Sequence, residues 1–143
     1  MKGVCHTDMK NLILEIIEHI ESNLDQEMNL DSIADMFGYS KFHLNRIFCE
    51  AVGVTIYKYI QFRRLSVAAE KLVTTGKPIV EIAYDTGYQS QQAFSIAFRQ
   101  FYGYVPLQYR RMGVFMPLLK RFTIQNIMMS LSLYENNSML FAA

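Results

Sequence analysis

Cysteine is scarce in this 143-residue chain, which holds only Cys5 and Cys49. The two lack the paired spacing of a disulfide framework and stand beside no cluster of metal ligands, so neither a disulfide scaffold nor a metal site is predicted. The three histidines, His6, His19 and His43, are scattered, with no nucleophile, base and orienting group in a catalytic pattern. A glycine-rich phosphate loop is also missing. We therefore expect no catalytic residues, no enzyme activity and no cofactor.

Long uninterrupted hydrophobic runs are missing too. Charged residues break every long apolar stretch, and the first thirty residues lack a basic start followed by an apolar segment. The sequence therefore predicts no membrane span and no signal peptide, and the scarcity of cysteine favours a reducing cytoplasm. The hydrophobic content of 51% is enough to bury one or two small cores.

Net charge is nearly absent, at +1, but the charges are unevenly distributed. Residues 1–30 hold two basic against six acidic side chains, which gives −4. Residues 41–121 hold twelve basic against four acidic side chains, which gives +8. A basic body beside an acidic end favours a polyanionic partner for the body.

The chain does contain one short pattern twice, about fifty residues apart. The first copy holds Ile33, Ala34, Gly38, Tyr39, Phe48, Gly53 and Tyr59, and the second holds Ile82, Ala83, Gly87, Tyr88, Phe98, Gly103 and Tyr109. The offset is 49 residues up to the glycine-tyrosine pair and 50 after it. The second copy therefore has one extra residue, either Gln89 or Ser90. Such repetition predicts a duplicated structural unit.

Helical spacing and capping residues predict an all-α fold of about seven helices, with two helix-turn-helix subdomains joined by a long central helix. Apolar residues from Met9 to Leu24 mark a first, amphipathic helix. Caps and stops bound the others at Asn29 to Gly38, Ser40 to Gly53, Thr55 to Gly76, Pro78 to Gly87, Ser90 to Gly103, and from Pro106 onward. The long fourth helix is expected to run from Ile56 to about Thr74. No strand is predicted before residue 120.

The repeat has the spacing of a helix-turn-helix. Ala34 and Ala83 stand where the second helix crosses the first and a larger side chain would separate them. Four residues later, Gly38 and Gly87 permit the positive φ that the turn requires. An ordinary helical hairpin without nucleic acid is the alternative, and two copies with basic second helices favour DNA binding over it.

The second helix of each copy divides into two faces. The expected core stripes are Leu44, Ile47, Phe48 and Ala51 in the first copy and Phe94, Ala97, Phe98 and Phe101 in the second. The outward, base-proximal candidates are Phe42, Asn45, Arg46, Cys49, Gln91, Gln92, Ser95, Ile96 and Arg99. Arginine can pair with guanine, asparagine and glutamine with adenine, and an apolar group with the thymine methyl. A solvated charge is the alternative for both arginines, and a small group near DNA or an oxidisable thiol for Cys49.

Phosphate contacts are expected from helix N-termini and basic side chains: Ser40, Lys41, Lys58, Arg63, Arg64, Ser90, Arg110 and Arg111. Arg63 or Arg64 could instead form a salt bridge to Glu50 or Glu70. A central helix of about 19 residues spans ~28 Å, near the ~34 Å of one DNA turn. A rigid monomer could therefore read two successive major grooves.

Three stretches carry a resemblance to a known family: GYSKFHLNRIF at 38–48, YIQFRRL at 59–65 and GYQSQQAFSIAFRQFYGYVPLQYRR at 87–111. They resemble the AraC/XylS family of bacterial transcription regulators, and within it the small stand-alone activators of the MarA type, over residues 9–112. The resemblance implies a seven-helix domain that binds double-stranded DNA near promoters and recruits RNA polymerase. It also implies that Phe42, Asn45, Arg46, Gln91 and Gln92 lie next to the bases.

The chain departs from the family pattern at three positions in the second helices of the two copies. Close relatives usually have arginine at the position of Ile96, threonine at Ser95 and often tryptophan at Phe42. Loss of the charge at Ile96 predicts a second unit that binds DNA weakly or with altered preference. A protein-interaction module or anti-activator with the same fold is the alternative function.

We assign residues 7–112 to one AraC-type DNA-binding domain: 7–54 form the first helix-turn-helix unit, 55–76 the linker helix and 77–112 the second unit. Residues 113–143 form an apolar tail of unknown role. Its apolar residues fit either a docking helix after Pro117 or a strand through Met129, Leu131 and Leu133. The tail could be a lid on the helical core, a truncated remnant or a dimerisation element. A monomer is favoured over a dimer formed through the tail.

Overall fold

The computed structural model describes residues 6–116 of the chain. Those residues form seven helices and no strand, which confirms the predicted all-α fold. The helices are α1 (His6–Ser22), α2 (Leu30–Phe37), α3 (Lys41–Val52), α4 (Ile56–Thr74), α5 (Ile79–Asp85), α6 (Gln91–Tyr102) and α7 (Pro106–Met112). The helix and strand expected in the apolar tail fall outside the described residues.

The described residues divide into two compact units, one holding 6–22 and 28–58 and the other 23–27 and 59–116. The long helix α4 contributes residues to both units. The loop after α1 belongs to the second unit rather than the first. The boundaries expected at residues 54 and 76, which follow the internal repeat, stay a prediction.

The first unit has an aliphatic core. The buried face of α1 is a run of isoleucines at helical spacing: Ile13, Ile16, Ile17 and Ile20. Helix α2 buries Ile33 and Ala34 and packs against α3. The predicted stripe of α3, Leu44, Ile47, Phe48 and Ala51, is also buried. Burying each large aliphatic side chain stabilises the unit by about 1.5–3 kcal/mol before the cost of chain entropy.

The second unit has a core rich in aromatic rings. Its buried cluster consists of Leu65, Ala68, Ala69, Leu72, Ile82, Ala83, Phe94, Phe98 and Tyr109. The ring of Phe98 stacks on Tyr102 with centroids 4.5 Å apart and meets Tyr109 edge-on at 5.2 Å. Ala97 and Phe101, predicted as part of this core, are partly buried against it.

The capping predictions hold at α2, α3 and α6. Asn29 caps α2 by accepting from the Ser32 amide at 2.8 Å. Ser40 and Ser90 have extended backbones and cap α3 and α6. Because these two serines occupy the same structural position, the extra residue of the second repeat is Gln89.

The predicted extent of α4, from Ile56 to about Thr74, is confirmed. Gly76, expected as the stop of this helix, is not among the positive-φ glycines. The hydroxyls of Thr74 and Thr75 instead donate to the carbonyls of Glu70 and Lys71 at 2.7 and 2.6 Å. Helix α4 therefore ends with threonine hydroxyls bonded to its own backbone and without a left-handed residue.

Candidate nucleic-acid interface

Helix α3 presents a face of mixed chemistry to solvent. Phe42, in its first turn, is 80% exposed, which is unusual for so large an apolar ring. Arg46 lies one helical turn further along and is also exposed, whereas Cys49 is half-buried. The Nζ of Lys41 lies 5.5 Å from the Phe42 ring centroid and 3.5 Å from the Asp31 carboxylate. This face combines an apolar surface with positive charge, as major-groove readers do.

Helix α6 presents a different face. Gln91 and Gln92 are exposed at its N-terminal end, and Ile96 is 63% exposed one turn later. Ser95 is half-buried and Arg99 is exposed in the last turn. The amides can donate to and accept from a base edge, but the middle of this face is aliphatic where α3 carries Arg46.

Asn45 does not lie wholly on the exposed face of α3. It is half-buried, and its Oδ1 accepts the backbone N–H of Ile56 at 3.0 Å. Ile56 is the first residue of α4, whose amide has no partner inside its own helix. The side chain that we predicted as a base reader therefore holds the start of α4. Helical periodicity gave no signal for this contact, since its partner is eleven residues away.

The polar groups predicted to hold phosphates fall into two classes. Lys58 and Arg111 are exposed, and Lys41 is exposed beside Asp31. The hydroxyls of Ser40 and Ser90 cap their own helices, accepting from the His43 amide at 3.3 Å and the Ala93 amide at 3.0 Å. These caps leave the first backbone amides of α3 and α6 at the helix termini, where an anion binds favourably.

Arg64 and Arg110 belong to the other class because their guanidinium groups bind backbone carbonyls. Arg64 donates through Nε to the Leu24 carbonyl at 2.8 Å and through Nη2 to the Gln26 carbonyl. Arg110 donates through Nε to the Leu72 carbonyl at 3.0 Å and through Nη2 to the Lys77 carbonyl. Arg64 thus joins α4 to the loop after α1, and Arg110 joins α7 to the end of α4 and to the loop that follows it. We had expected both on phosphates, with a salt bridge to Glu50 or Glu70 as the alternative for Arg64.

Arg63 is half-buried, so it is less open to a phosphate than Lys58 or Arg111. Contacts between residues 38 or 40 positions apart, such as those of Arg64, leave no local sequence pattern. A prediction from charge alone therefore treats Arg63, Arg64 and Arg110 alike as DNA contacts. It does not distinguish an arginine that bonds the protein backbone from one that is exposed.

Within residues 6–116, no group of three or more histidine, cysteine, aspartate or glutamate side chains is placed to hold a metal ion. Among the helices that the structure describes, none is long and apolar enough to cross a membrane.

Known proteins match this chain over the same region. Residues 33–112 match the family model of a helix-turn-helix domain. The chain is 44% identical over 101 residues to the regulatory protein SoxS of Salmonella typhimurium, which covers 71% of the chain and 94% of SoxS. It is 40% identical over 104 residues to the right origin-binding protein of Escherichia coli, which covers 73% of the chain and 36% of that relative. The chain thus spans about a third of the second relative.

A solved structure gives the same result. The C-terminal domain of AraT, a response regulator from Geobacillus stearothermophilus, aligns with a TM-score of 0.69 at 29% identity. The alignment covers 78% of this chain and 93% of the AraT domain. The sequence match includes both helix-turn-helix units, the exposed faces of α3 and α6, and α4. The chain therefore belongs to the AraC/XylS family of helix-turn-helix transcription regulators.

Proposed function

We propose that this protein is a sequence-specific transcription activator that inserts α3 and α6 into major grooves of double-stranded DNA near promoters. The exposed face of α3 carries the proposal, because Phe42 and Arg46 stand one turn apart on a helix whose opposite face is buried. Solvating so large an aromatic ring has no structural benefit, whereas a thymine methyl provides an apolar partner for it. On α6, the exposed polar groups at the helix N-terminus are Gln91 and Gln92.

The proposed domain covers residues 7–112. We assign 7–54 to the first unit, 55–76 to the linker helix and 77–112 to the second unit. In the base-proximal set we retain Phe42, Arg46, Cys49, Gln91, Gln92, Ser95, Ile96 and Arg99. The phosphate set consists of Ser40, Lys41, Lys58, Arg63, Ser90 and Arg111. Arg64 and Arg110 leave the phosphate set because carbonyl oxygens already accept their N–H groups.

Arg46→Ala tests the proposal most directly. A guanidinium that bonds a guanine edge contributes about 1–3 kcal/mol of discrimination. We expect Arg46→Ala to weaken binding to the preferred site by roughly 5- to 150-fold, measured by a mobility-shift titration against excess nonspecific DNA. Arg46→Lys keeps the charge without the two-pronged donor, and we expect it to recover only part of the lost affinity.

Arg111→Ala is the matched control, since it removes an exposed positive charge that we assign to a phosphate. We expect it to weaken binding to all sequences about equally and to reduce the salt dependence by about one charge. Failure of the wild-type chain to bind any genomic fragment specifically at low salt would contradict the proposal.

Recruitment of RNA polymerase is a second part of the proposal. A monomer bound beside a promoter should increase transcription from purified polymerase in proportion to site occupancy. One chain per DNA site is expected in sedimentation of the complex, and two chains per site would instead support a dimer formed through the tail. In a bacterial cell the protein would act in the cytoplasm, where the chromosome lies.

The exposed Ile96 favours one alternative function. Ile96 is 63% exposed in the middle of α6 and offers no hydrogen bond to a base edge, whereas an exposed apolar side chain can also pack against a protein partner. A protein-interaction module or anti-activator would keep the fold and lose specific DNA binding. The same mobility-shift titration separates the two functions, because only the activator requires a specific fragment whose binding depends on Arg46.

A further inference from the structure

The contact between Asn45 and Ile56 occupies a defined position in the helix-turn-helix. Ile56 begins α4, and its amide is one of the four that an α-helix cannot pair internally. The hydroxyl of Thr55 accepts from the Lys58 amide at 3.2 Å, and Oδ1 of Asn45 accepts from the Ile56 amide at 3.0 Å. Ile56 itself is buried, so an amide without an acceptor there would be costly.

The internal repeat offers an unplanned control for this contact. The offset of 50 residues places Ser95 at the position of Asn45, and Pro106 at the position of Ile56. Pro106 is the first residue of α7, just as Ile56 is the first residue of α4. Proline has no backbone N–H and is well suited to the first position of a helix. The longer acceptor, Asn45, thus occurs in the unit whose next helix begins with an N–H, at Ile56. The shorter hydroxyl of Ser95 occurs in the unit whose next helix begins with a proline.

We infer that Asn45 is a positioning residue whose carbonyl oxygen fixes α3 against the start of α4, and that it does not itself read a base. The inference rests on the proposed function in so far as α3 is the helix that enters DNA. Asn45 would act through Phe42 and Arg46, whose placement depends on where α3 lies. In the second unit Pro106 removes the need for an acceptor, so Ser95 is not required to hold α7.

Thermal unfolding of the full chain is the first test. Leaving the Ile56 amide without its acceptor in Asn45→Ala should lower Tm by about 4–8 °C. Asn45→Asp keeps an acceptor of the same shape and should stay within about 2 °C of the wild type. Ser95→Ala, the matched change in the second unit, should also stay within about 2 °C. An unchanged Tm in Asn45→Ala, or an equal loss in Asn45→Asp, would overturn the inference.

A double-variant cycle isolates the hydrogen bond from packing. Ile56→Pro removes the N–H and also trims a buried side chain, so its own Tm carries no information about Asn45. The informative quantity is the additional effect of Asn45→Ala in the Ile56→Pro background. We expect that effect to be less than a third of its value in the wild type. An equal effect in both backgrounds would show that Asn45 acts through something other than this amide. If Ile56→Pro does not fold, the Asn45→Asp comparison decides.

DNA binding distinguishes a positioning residue from a base reader, because only the loss of a base reader changes the preference at one base pair. Affinities are measured for one preferred site and its single-base-pair variants. We expect Asn45→Ala to weaken binding to all of them by a similar factor, with the base preference unchanged. A preference at one base pair relaxed by fivefold or more, together with an unchanged Tm, would identify Asn45 as a base reader and overturn the inference. If the wild type binds no site specifically, the proposed function fails while the Tm results still decide the role of Asn45.

Discussion

The two helix-turn-helix units share their turns but differ in what surrounds them. Gly38 and Gly87 have φ of 75° and 85°, and the tyrosine after each donates its amide to the buried alanine carbonyl at 3.0 Å. Beyond that, a Cβ on Gly38 would meet no atom within 4 Å, whereas one on Gly87 would lie 2.5 Å from the Leu24 carbonyl oxygen. Gly38 is therefore required only for the left-handed backbone of its turn, whereas Gly87 is required both for the backbone and for the close approach of the Leu24 carbonyl.

The cores of the units differ as well. Isoleucines dominate the buried face of α1 in the first unit, whereas rings of Phe94, Phe98, Tyr102 and Tyr109 meet in the second. Aromatic pairs have preferred geometries and add about 0.5–1.5 kcal/mol each beyond the area they bury. The repeat therefore keeps the caps and turns that set backbone direction, while each unit fills its interior with different side chains.

The largest expected effect concerns the turn glycines. Gly87→Ala places a Cβ against the Leu24 carbonyl and the Arg64 guanidinium in a left-handed conformation, so we expect it to lower the free energy of unfolding by about 2–5 kcal/mol. Gly38→Ala has the same conformational strain without the clash and should cost only about 1–2 kcal/mol. Urea denaturation of both variants measures the difference. Equal losses would show that the packing around Gly87 adjusts at little cost.

An intermediate effect is expected at the helix faces that differ in charge. Ile96→Arg gives α6 the guanidinium that α3 has at Arg46, and should improve binding to a subset of sites by about 1 kcal/mol, or roughly fivefold. Ile96→Lys is the control, because a point charge should raise affinity for all DNA and do so only at low salt. Binding constants across a panel of sites distinguish the two. If Ile96→Arg leaves the affinity for every site unchanged, residue 96 does not lie in the DNA interface.

The smallest effect concerns an ion-pair cluster that occurs in the second unit. The Asp85 carboxylate accepts from Lys77 at 2.9 Å and from Lys71 at 3.3 Å, whereas the matching position of the first unit is the exposed Met36. Hydrogen bonds from Lys77 and Lys71 lower the pKa of Asp85. The hydrogen bond between Lys77 and Asp85 also raises the pKa of Lys77. Exposed pairs stabilise weakly, so Asp85→Asn should lower Tm at neutral pH by about 1–3 °C.

The pH dependence of that Tm difference follows from the two pKa directions. Because the pKa of Asp85 is lower in the folded state, its contribution is complete above the unfolded value of about 3.9 and is lost as pH falls through the folded one. Because the pKa of Lys77 is raised, its contribution is complete below about 10.4 and is lost as pH rises through the folded value. The Tm difference should therefore be constant between about pH 5 and 10 and should disappear at low pH. Asp35→Asn on α2 is the control, and a difference independent of pH in Asp85→Asn would contradict the ion-pair account.

Much of the fold was predictable from the sequence because its signals are local. The caps at Asn29, Ser40 and Ser90, the turn glycines Gly38 and Gly87, and the apolar periodicity each act within a few residues. The outward face of each recognition helix follows from the same periodicity, and Phe42 and Ile96 are exposed as expected. The end of α4 at about Thr74 was predicted as well, although Gly76 does not adopt the left-handed backbone that Gly53 and Gly103 have.

The roles of individual polar side chains depended on the tertiary structure. Asn45, Arg64 and Arg110 are residue types that commonly contact DNA. Each nevertheless forms a hydrogen bond to a backbone group 11 to 40 residues away. A sequence shows that a guanidinium or an amide is present, but not whether a carbonyl or an amide of the folded chain already pairs with it. The sequence by itself thus determined the duplicated all-α architecture and the faces of its helices, since these depend on neighbouring residues. Only the folded chain decided which charged and polar groups bond the protein's own backbone and which stay exposed to solvent, since that depends on backbone atoms brought together from distant positions.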